Sequence, residues 1–273
     1  MSESNPNSPV EHALQSVVTV SSARGPVISG TVIGPELVLT TAHVLRGGAL
    51  RVTLAGHTLE AALVGRDPLT DLAALRVPGL SAAPIAPGTA PRLGDAVFAA
   101  ARPEHGPMVT SGVFSAQVRE RGRHWLLTDA RPFPGFSGGA LISETGGLLG
   151  LLNAGVSRGE LLSVPAEVAL GVTEQLAARG KVARGRLGVS TQPVRLADGA
   201  VALLTVGIEP GSAAATAGLL VGDVLRSWNE APLQSGDELL VQVLGAAGQT
   251  VTLGVTRGAA RLELSVTVGE ADA

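Results

Sequence analysis

The feature that most constrains the fold is a change of period at Val17. From there the chain breaks into short Val- and Leu-rich runs, each closed by Gly, Pro or Asp. Residues 17–20, 27–33, 37–40, 49–54, 58–64 and 72–77 read as one series of short strands. Residues 96–100, 108–118, 124–128, 140–143, 148–152 and 161–164 read as a second series. Evenly spaced short strands separated by turn residues specify a barrel or a sandwich. The intervening 78–91 stretch is rich in Pro, Ala and Gly, has no periodicity, and reads as the connection between two halves of one all-β domain.

Helical signals flank these strands. Ser8-Pro9-Val10-Glu11 has the form of a capping box with proline at the first helical position, so a short helix is expected to about residue 16. Pro165 opens a second helix that ends near Gly180, with Arg179 and Lys181 at the end where cations suit the dipole. A third unit follows, with strands at 187–192, 200–206, 224–228, 250–257 and 260–268 and helical patterns at 212–217 and 236–244. The expected division is therefore a tail and short helix over 1–16, an all-β domain over 17–180, a joint over 181–186 and a small α/β domain over 187–273.

Composition narrows the function classes. Hydrophobic residues make up 45% and charged residues 16%, enough to build a core and too apolar for wholesale disorder. Aromatic residues are only 2%, so that core must come from Val, Leu and Ala. A net charge of −3 without a basic cluster argues against nucleic acid as a partner. The lack of cysteine excludes disulfides, thiolate metal sites and a cysteine nucleophile. No run approaches a membrane span, and residues 1–9 lack the apolar segment of a signal peptide. The compartment stays open at this point: cytoplasmic as the chain is written, or the cell envelope if its native start has been replaced.

The chemistry concentrates in Phe133-Pro134-Gly135-Phe136-Ser137-Gly138-Gly139. A serine nucleophile needs backbone N–H groups aimed at the developing oxyanion, and glycine permits the backbone to take that shape. The amides of Gly135 and Ser137 are the natural pair of donors. His43 follows an apolar strand, and Asp71 sits at the mouth of the next one. Serine hydrolysis needs a nucleophile, a base to take its proton and an acid to orient that base. His43, Asp71 and Ser137 supply the three in the chain order of the chymotrypsin arrangement. Asp67 is the rival acid. His12, His57, His105 and His124 lie outside every motif. The mechanism calls for no metal and no cofactor, and no nucleotide-binding glycine-lysine loop occurs.

These segments resemble one family. VLTTAHV, DPLTDLAALRV, VTSGVFSA, LTDA and GFSGGAL are similar to stretches of the HtrA (Deg) serine proteases. RGRLGV, VGIEPGSAAATAGLLVGDVL and GQTVTLGVTR resemble their C-terminal PDZ domain. The resemblance implies a mostly β protein, a trypsin-like double antiparallel β-barrel followed by a small α/β PDZ domain. It also implies His43 as general base, Asp71 as orienting acid, Ser137 as nucleophile, and Gly135 with Ser137 as the oxyanion hole. The implied activity is ATP-independent endoproteolysis of unfolded or damaged protein. In the PDZ-like unit an extended peptide can add as a strand to a sheet edge. A peptide C-terminus is expected at Leu187, Gly188 and Val189, against a helix bearing Leu239, Leu240 and Val243.

The chain also departs from the family pattern. Phe136 stands where asparagine is usual, and its ring could disturb the turn that aims the Gly135 amide. This keeps a second reading in play, an inactive peptide-binding or chaperone-like protein. Leu152 stands where the family has asparagine, and Leu151, Ala154 and Gly155 are expected to line an apolar pocket for the residue before the cut. HtrA trimers form through aromatic residues near the N-terminus. None occurs here before Phe98, so a homo-oligomer is left open and that route to a trimer is disfavoured.

Overall fold

A computed structural model describes residues 8–120, 123–154, 161–196 and 199–271. The chain divides into two compact units, Met1–Val182 and Ala183–Ala273. The boundary falls inside the expected 181–186 joint.

The first unit opens with helix α1 (Pro9–Leu14), closed at its start by the reciprocal Ser8 and Glu11 capping box. The helix ends two residues earlier than the sequence suggests. Six strands follow: β1 (Val17–Ser22), β2 (Ile28–Gly34), β3 (Leu37–Thr41), β4 (Leu50–Leu54), β5 (His57–Asp67) and β6 (Leu72–Arg76). They close into an antiparallel barrel in the order β1-β2-β3-β6-β5-β4. The next six are β7 (Ala96–Ala101), β8 (Met108–Glu120), β9 (Arg123–Thr128), β10 (Ala140–Ser143), β11 (Leu148–Asn153) and β12 (Leu161–Pro165). Their closed order, β10-β11-β12-β9-β8-β7, is the same topology read from the other end. The two strand series are thus a structural repeat that left no repeat in the sequence.

Continuous apolar runs in β3 and β6 are explained by burial on both faces. Val38 and Leu75 point into the first barrel, whose interior also holds Val20, Ile28 and Val52. Leu39, Leu72 and Ala74 point the other way, into a layer shared with Trp125 and Val164 of the second barrel. Helix α2 (Ala166–Arg179) covers this layer with Ala169, Val172 and Leu176, and stops at Gly180 in the left-handed conformation. A seam between two barrels is therefore set by alternate residues of two strands.

The second unit contains β13 (Gly185–Arg186), β14 (Val189–Arg195), β15 (Val201–Ile208), α3 (Ala213–Thr216), β16 (Val224–Trp228), β17 (Ala231–Pro232), α4 (Gly236–Gly245), β18 (Thr250–Arg257), β19 (Ala260–Thr267) and β20 (Gly269–Glu270). The main sheet runs β14-β15-β16-β18-β19, with β17 on β16 and a separate β13-β20 pair. Its core gathers Leu203, Leu225, Trp228, Leu253 and Val255 against Leu239 and Val243 of α4. The expected strand from residue 187 is displaced. Leu187 lies between β13 and β14, buried in the core, and the long strand starts at Val189.

Candidate active site and peptide groove

His43 and Asp71 are brought together by one antiparallel pair. Thr41 of β3 faces Leu72 of β6 at the end of their ladder. The pairing runs one residue further, with the Ala42 amide donating to the Asp71 carbonyl at 2.9 Å. Beyond it the Asp71 side chain takes over. Oδ1 accepts the His43 backbone N–H at 2.8 Å, and Oδ2 lies 2.5 Å from His43 Nδ1. Holding both contacts places Asp71 at φ 60°, a left-handed conformation that aspartate tolerates better than most residues.

Electrostatics follow from this contact. The Asp71 hydrogen bond is the main influence on His43 and holds its imidazole above the ordinary histidine value, against a smaller opposing effect of burial. For Asp71 burial alone would raise the carboxyl. Hydrogen bonds from His43 and Asn153, with the His43 charge, outweigh it and hold the group below the usual carboxylate range. Asp67 has a different task. It is buried, and its carboxylate accepts from the amides of Leu69 and Thr70 and from Thr70 Oγ1 at 2.6 Å, an Asx-type turn.

Ser137 lies in the segment between β9 and β10 and is 8% exposed. Phe133 to Phe136 form a turn closed by the Phe136 amide on the Phe133 carbonyl at 3.1 Å. Gly135, at φ 86°, occupies the position of that turn where glycine is needed after proline. The Phe136 ring is wholly buried in the second barrel, packed with Phe133 at 5.7 Å between ring centres. The ring therefore turns away from the seam and into the core of the second barrel.

The serine segment is tied to β11 and to the first barrel. Gly138 donates to the Leu152 carbonyl at 2.8 Å, and the Ser29 amide donates to the Ser137 carbonyl at 3.0 Å. Asn153, next to Leu152, donates Nδ2 to Asp71 Oδ2 at 2.8 Å. This run of bonds places the Ser137 segment and the His43–Asp71 pair on the same seam. Asn153 is a residue that sequence reasoning missed, since only its neighbours were assigned to a pocket. Of those neighbours, Leu151 is buried between the barrels with Leu39 and Trp125, a core placement rather than a pocket wall. Ala154 is partly buried against the Phe136 cluster, and Gly155 lies outside the described residues.

In the second unit a groove of about 420 Å³ lies between β14 and α4. Leu187, Gly188, Val189 and Leu240, the four residues expected to hold a peptide, all line it, with Leu239 and Val243 at its base. Gly188 is at φ 74°, where a side chain would collide with Ser212. Leu240 is 41% exposed on the open side of α4. Arg186 and Glu209 also line the groove, joined at 2.6 Å. Among the described residues no cluster of histidine and carboxylate side chains fits a metal ion, and no helix is long and apolar enough to cross a membrane.

Twin six-stranded barrels with a histidine–carboxylate pair at their seam define the trypsin-like class of peptidase folds, and the second unit is a PDZ fold. Family models agree: a trypsin-like peptidase domain matches residues 28–151 and a PDZ domain residues 185–268. The chain is 35% identical over 269 residues to a probable periplasmic serine endoprotease, DegP-like, of Pseudomonas savastanoi pv. phaseolicola, covering 88% of this chain and 55% of that protein. It is 31% identical over 261 residues to the serine endoprotease DegS of Escherichia coli K12, covering 85% and 73%. The solved structure of the HtrA-type protease AlgW with a decapeptide matches with a TM-score of 0.86 at 27% identity, over 97% of this chain and 98% of that one. The chain belongs to the HtrA family of serine proteases. It spans about half the length, 55%, of the DegP-like relative.

Proposed function

We propose that this protein is an ATP-independent serine endopeptidase that cuts unfolded or damaged polypeptides in protein quality control, with its PDZ groove capturing peptide C-termini. The observation that carries this reading is the Asp71 carboxylate. It grips both the backbone and the ring of His43 and is linked through Asn153 to the Ser137 segment.

In this mechanism Ser137 Oγ attacks the scissile carbonyl carbon while His43 takes its proton. Asp71 holds the imidazole in one tautomer and stabilises the imidazolium. The Gly135 and Ser137 amides receive the oxyanion. As the C–N bond breaks, His43 hands the proton to the departing amine, leaving an ester on Ser137. Water, deprotonated by His43, then splits that ester and restores the serine. Peptide capture draws on the edge position of β14 and the apolar side of α4. The decapeptide in the AlgW structure shows that a homologous protease accommodates a peptide.

The decisive experiment is labelling with a fluorophosphonate beside cleavage of unfolded casein. Wild-type protein is expected to take up one equivalent and to cleave, and Ser137→Ala to do neither. A folded wild type that neither labels nor cleaves, with or without a peptide for the PDZ groove, would overturn the enzymatic reading and leave a peptide binder.

A further inference from the structure

The Ser137 segment is held from the first barrel by one residue that no motif singles out. Ser29, on β2, is fully buried. Its hydroxyl donates to the Gly135 carbonyl at 2.7 Å and accepts from the Arg102 backbone N–H at 2.8 Å. Its own amide donates to the Ser137 carbonyl at 3.0 Å, and its carbonyl accepts from Thr40 Oγ1 at 2.7 Å. Each polar group of this serine is thus engaged. Arg102 is anchored in turn, with Nε on the Val17 carbonyl at 2.6 Å and Nη2 on the Leu14 carbonyl at the end of α1 at 2.9 Å.

We propose that Ser29 is a positioning residue for the oxyanion-binding amides, an inference that rests on the Ser137 chemistry above. The two donors, Gly135 N–H and Ser137 N–H, belong to the peptide planes 134–135 and 136–137. Ser29 holds the carbonyls of Gly135 and Ser137, which belong to planes 135–136 and 137–138. The clamped planes therefore alternate with the donor planes. A donor plane rotates through the dihedral angles at its two ends, so fixing its neighbour limits its swing. Gly135 is the loosest link, since glycine resists rotation least. The Ser29 hydroxyl holds that residue. Donors that are already aimed need no reorganisation when charge develops, and this is where their catalytic worth lies.

The test compares wild type, Ser29→Ala, Ser29→Cys, Ser29→Thr and Ser137→Ala. Thermal unfolding, kcat and KM on dye-labelled unfolded casein, fluorophosphonate labelling rate and the pH profile are measured for each. Folded Ser29→Ala is expected to lose about 10- to 100-fold in kcat and in labelling rate, a part of the about 10²–10³ that a lost oxyanion donor costs. KM and the acid limb of the profile should stay at wild-type values, because neither the groove nor the His43–Asp71 pair is touched. Ser29→Thr restores the hydroxyl and should recover most of the rate. Ser29→Cys keeps the volume with a weak donor, so it reports even where the alanine variant fails to fold, and its kcat should fall likewise. A folded alanine or cysteine variant with wild-type kcat, or a loss confined to KM or to thermal stability, would overturn the role of Ser29. A wild type that does not label would instead remove the Ser137 chemistry itself, and this inference with it.

Discussion

Asn153 donates its side-chain amide to Asp71 Oδ2 at 2.8 Å, the same oxygen that lies 2.5 Å from the His43 ring. Asn153 closes β11 of the second barrel and Asp71 precedes β6 of the first, so the bond fixes the carboxylate from across the seam. Its Oδ1 is buried without a hydrogen-bond partner among the described residues, which leaves Nδ2 as the productive end. Asn153→Ala is expected to lower kcat about tenfold with KM unchanged, the pattern of a contact that matters in the transition state. Asn153→Asp should do more harm. Two adjacent carboxylates share a proton, which weakens Asp71 as partner to His43, and kcat/KM at neutral pH is expected to fall about 100-fold. Steady-state kinetics on unfolded casein checks both.

In the proposed mechanism the His43–Asp71 contact sets the pH dependence of the rate. The base must be neutral, and Asp71 holds the protonated imidazole favourable, so the pKa is raised. Activity should therefore disappear, on acidification, at a higher pH than the ordinary histidine value of about 6.5 would give. Stability runs the other way. A raised folded-state pKa contributes stability that is complete below the unfolded value and is lost as pH rises through the folded one. The thermal penalty of His43→Ala should thus be larger at pH 5.5 than at pH 9. Asp71 has a lowered pKa, and its contribution is present above the ordinary carboxylate value of about 3.9 and lost as acid protonates the folded group. Asp71→Asn should reduce kcat by about 10⁴ and move the acid limb downward. A rate unchanged from pH 5 to 8 would remove His43 as base.

Sequence periodicity reveals most of the strand plan because most barrel strands have at least one buried face. Its errors lie where pairing is short or turns decide. The β13-β20 and β16-β17 pairs, two residues long on one side, carry no period to detect. The start of β14 moves to Val189 because Gly188 adopts a left-handed turn after Leu187 enters the core. The candidate site shows the same split. His43, Asp71 and Ser137 stand out because nucleophilic chemistry restricts residue type and order. Ser29 and Asn153 do not stand out, because their partners are 106 and 82 residues away in sequence. The direction of the Phe136 ring is illegible in the sequence for the same reason. Only the packing of the second barrel shows that its ring is drawn inward.

Gly138 is required by space as well as by backbone shape. It lies at φ 86°, and a Cβ there would collide with the Ser29 carbonyl and Thr40 Oγ1 of the first barrel. A left-handed conformation costs a non-glycine residue about 1–2 kcal/mol before the collision is counted. Gly138→Ala should destabilise the protein by about 3 kcal/mol or more, a large share of an ordinary folding free energy. It should also abolish fluorophosphonate labelling, since relief of the clash displaces the Ser29 contact with Ser137. Denaturant unfolding and labelling on the same preparation test the two effects together.

The peptide groove offers a test that does not depend on hydrolysis. Arg186 and Glu209 line its rim, 2.6 Å apart and with side chains 56% and 54% exposed. An exposed pair of this kind is worth about 0–1 kcal/mol, so it can exchange partners at little cost. A peptide carboxylate entering beside Gly188 would meet the Glu209 charge and compete with it for the Arg186 guanidinium. Glu209→Gln should therefore tighten binding of a peptide with a free C-terminus by up to about tenfold, and Arg186→Gln should weaken it by a similar factor. A peptide amidated at its C-terminus should bind both variants as it binds wild type. The effect should fade at 1 M salt, where the screening length is about 3 Å. Titration by calorimetry with the two peptides, using Ser137→Ala to prevent cleavage, measures each value. Equal affinity of wild type and both variants for the free-acid peptide would show that the carboxylate does not approach this pair.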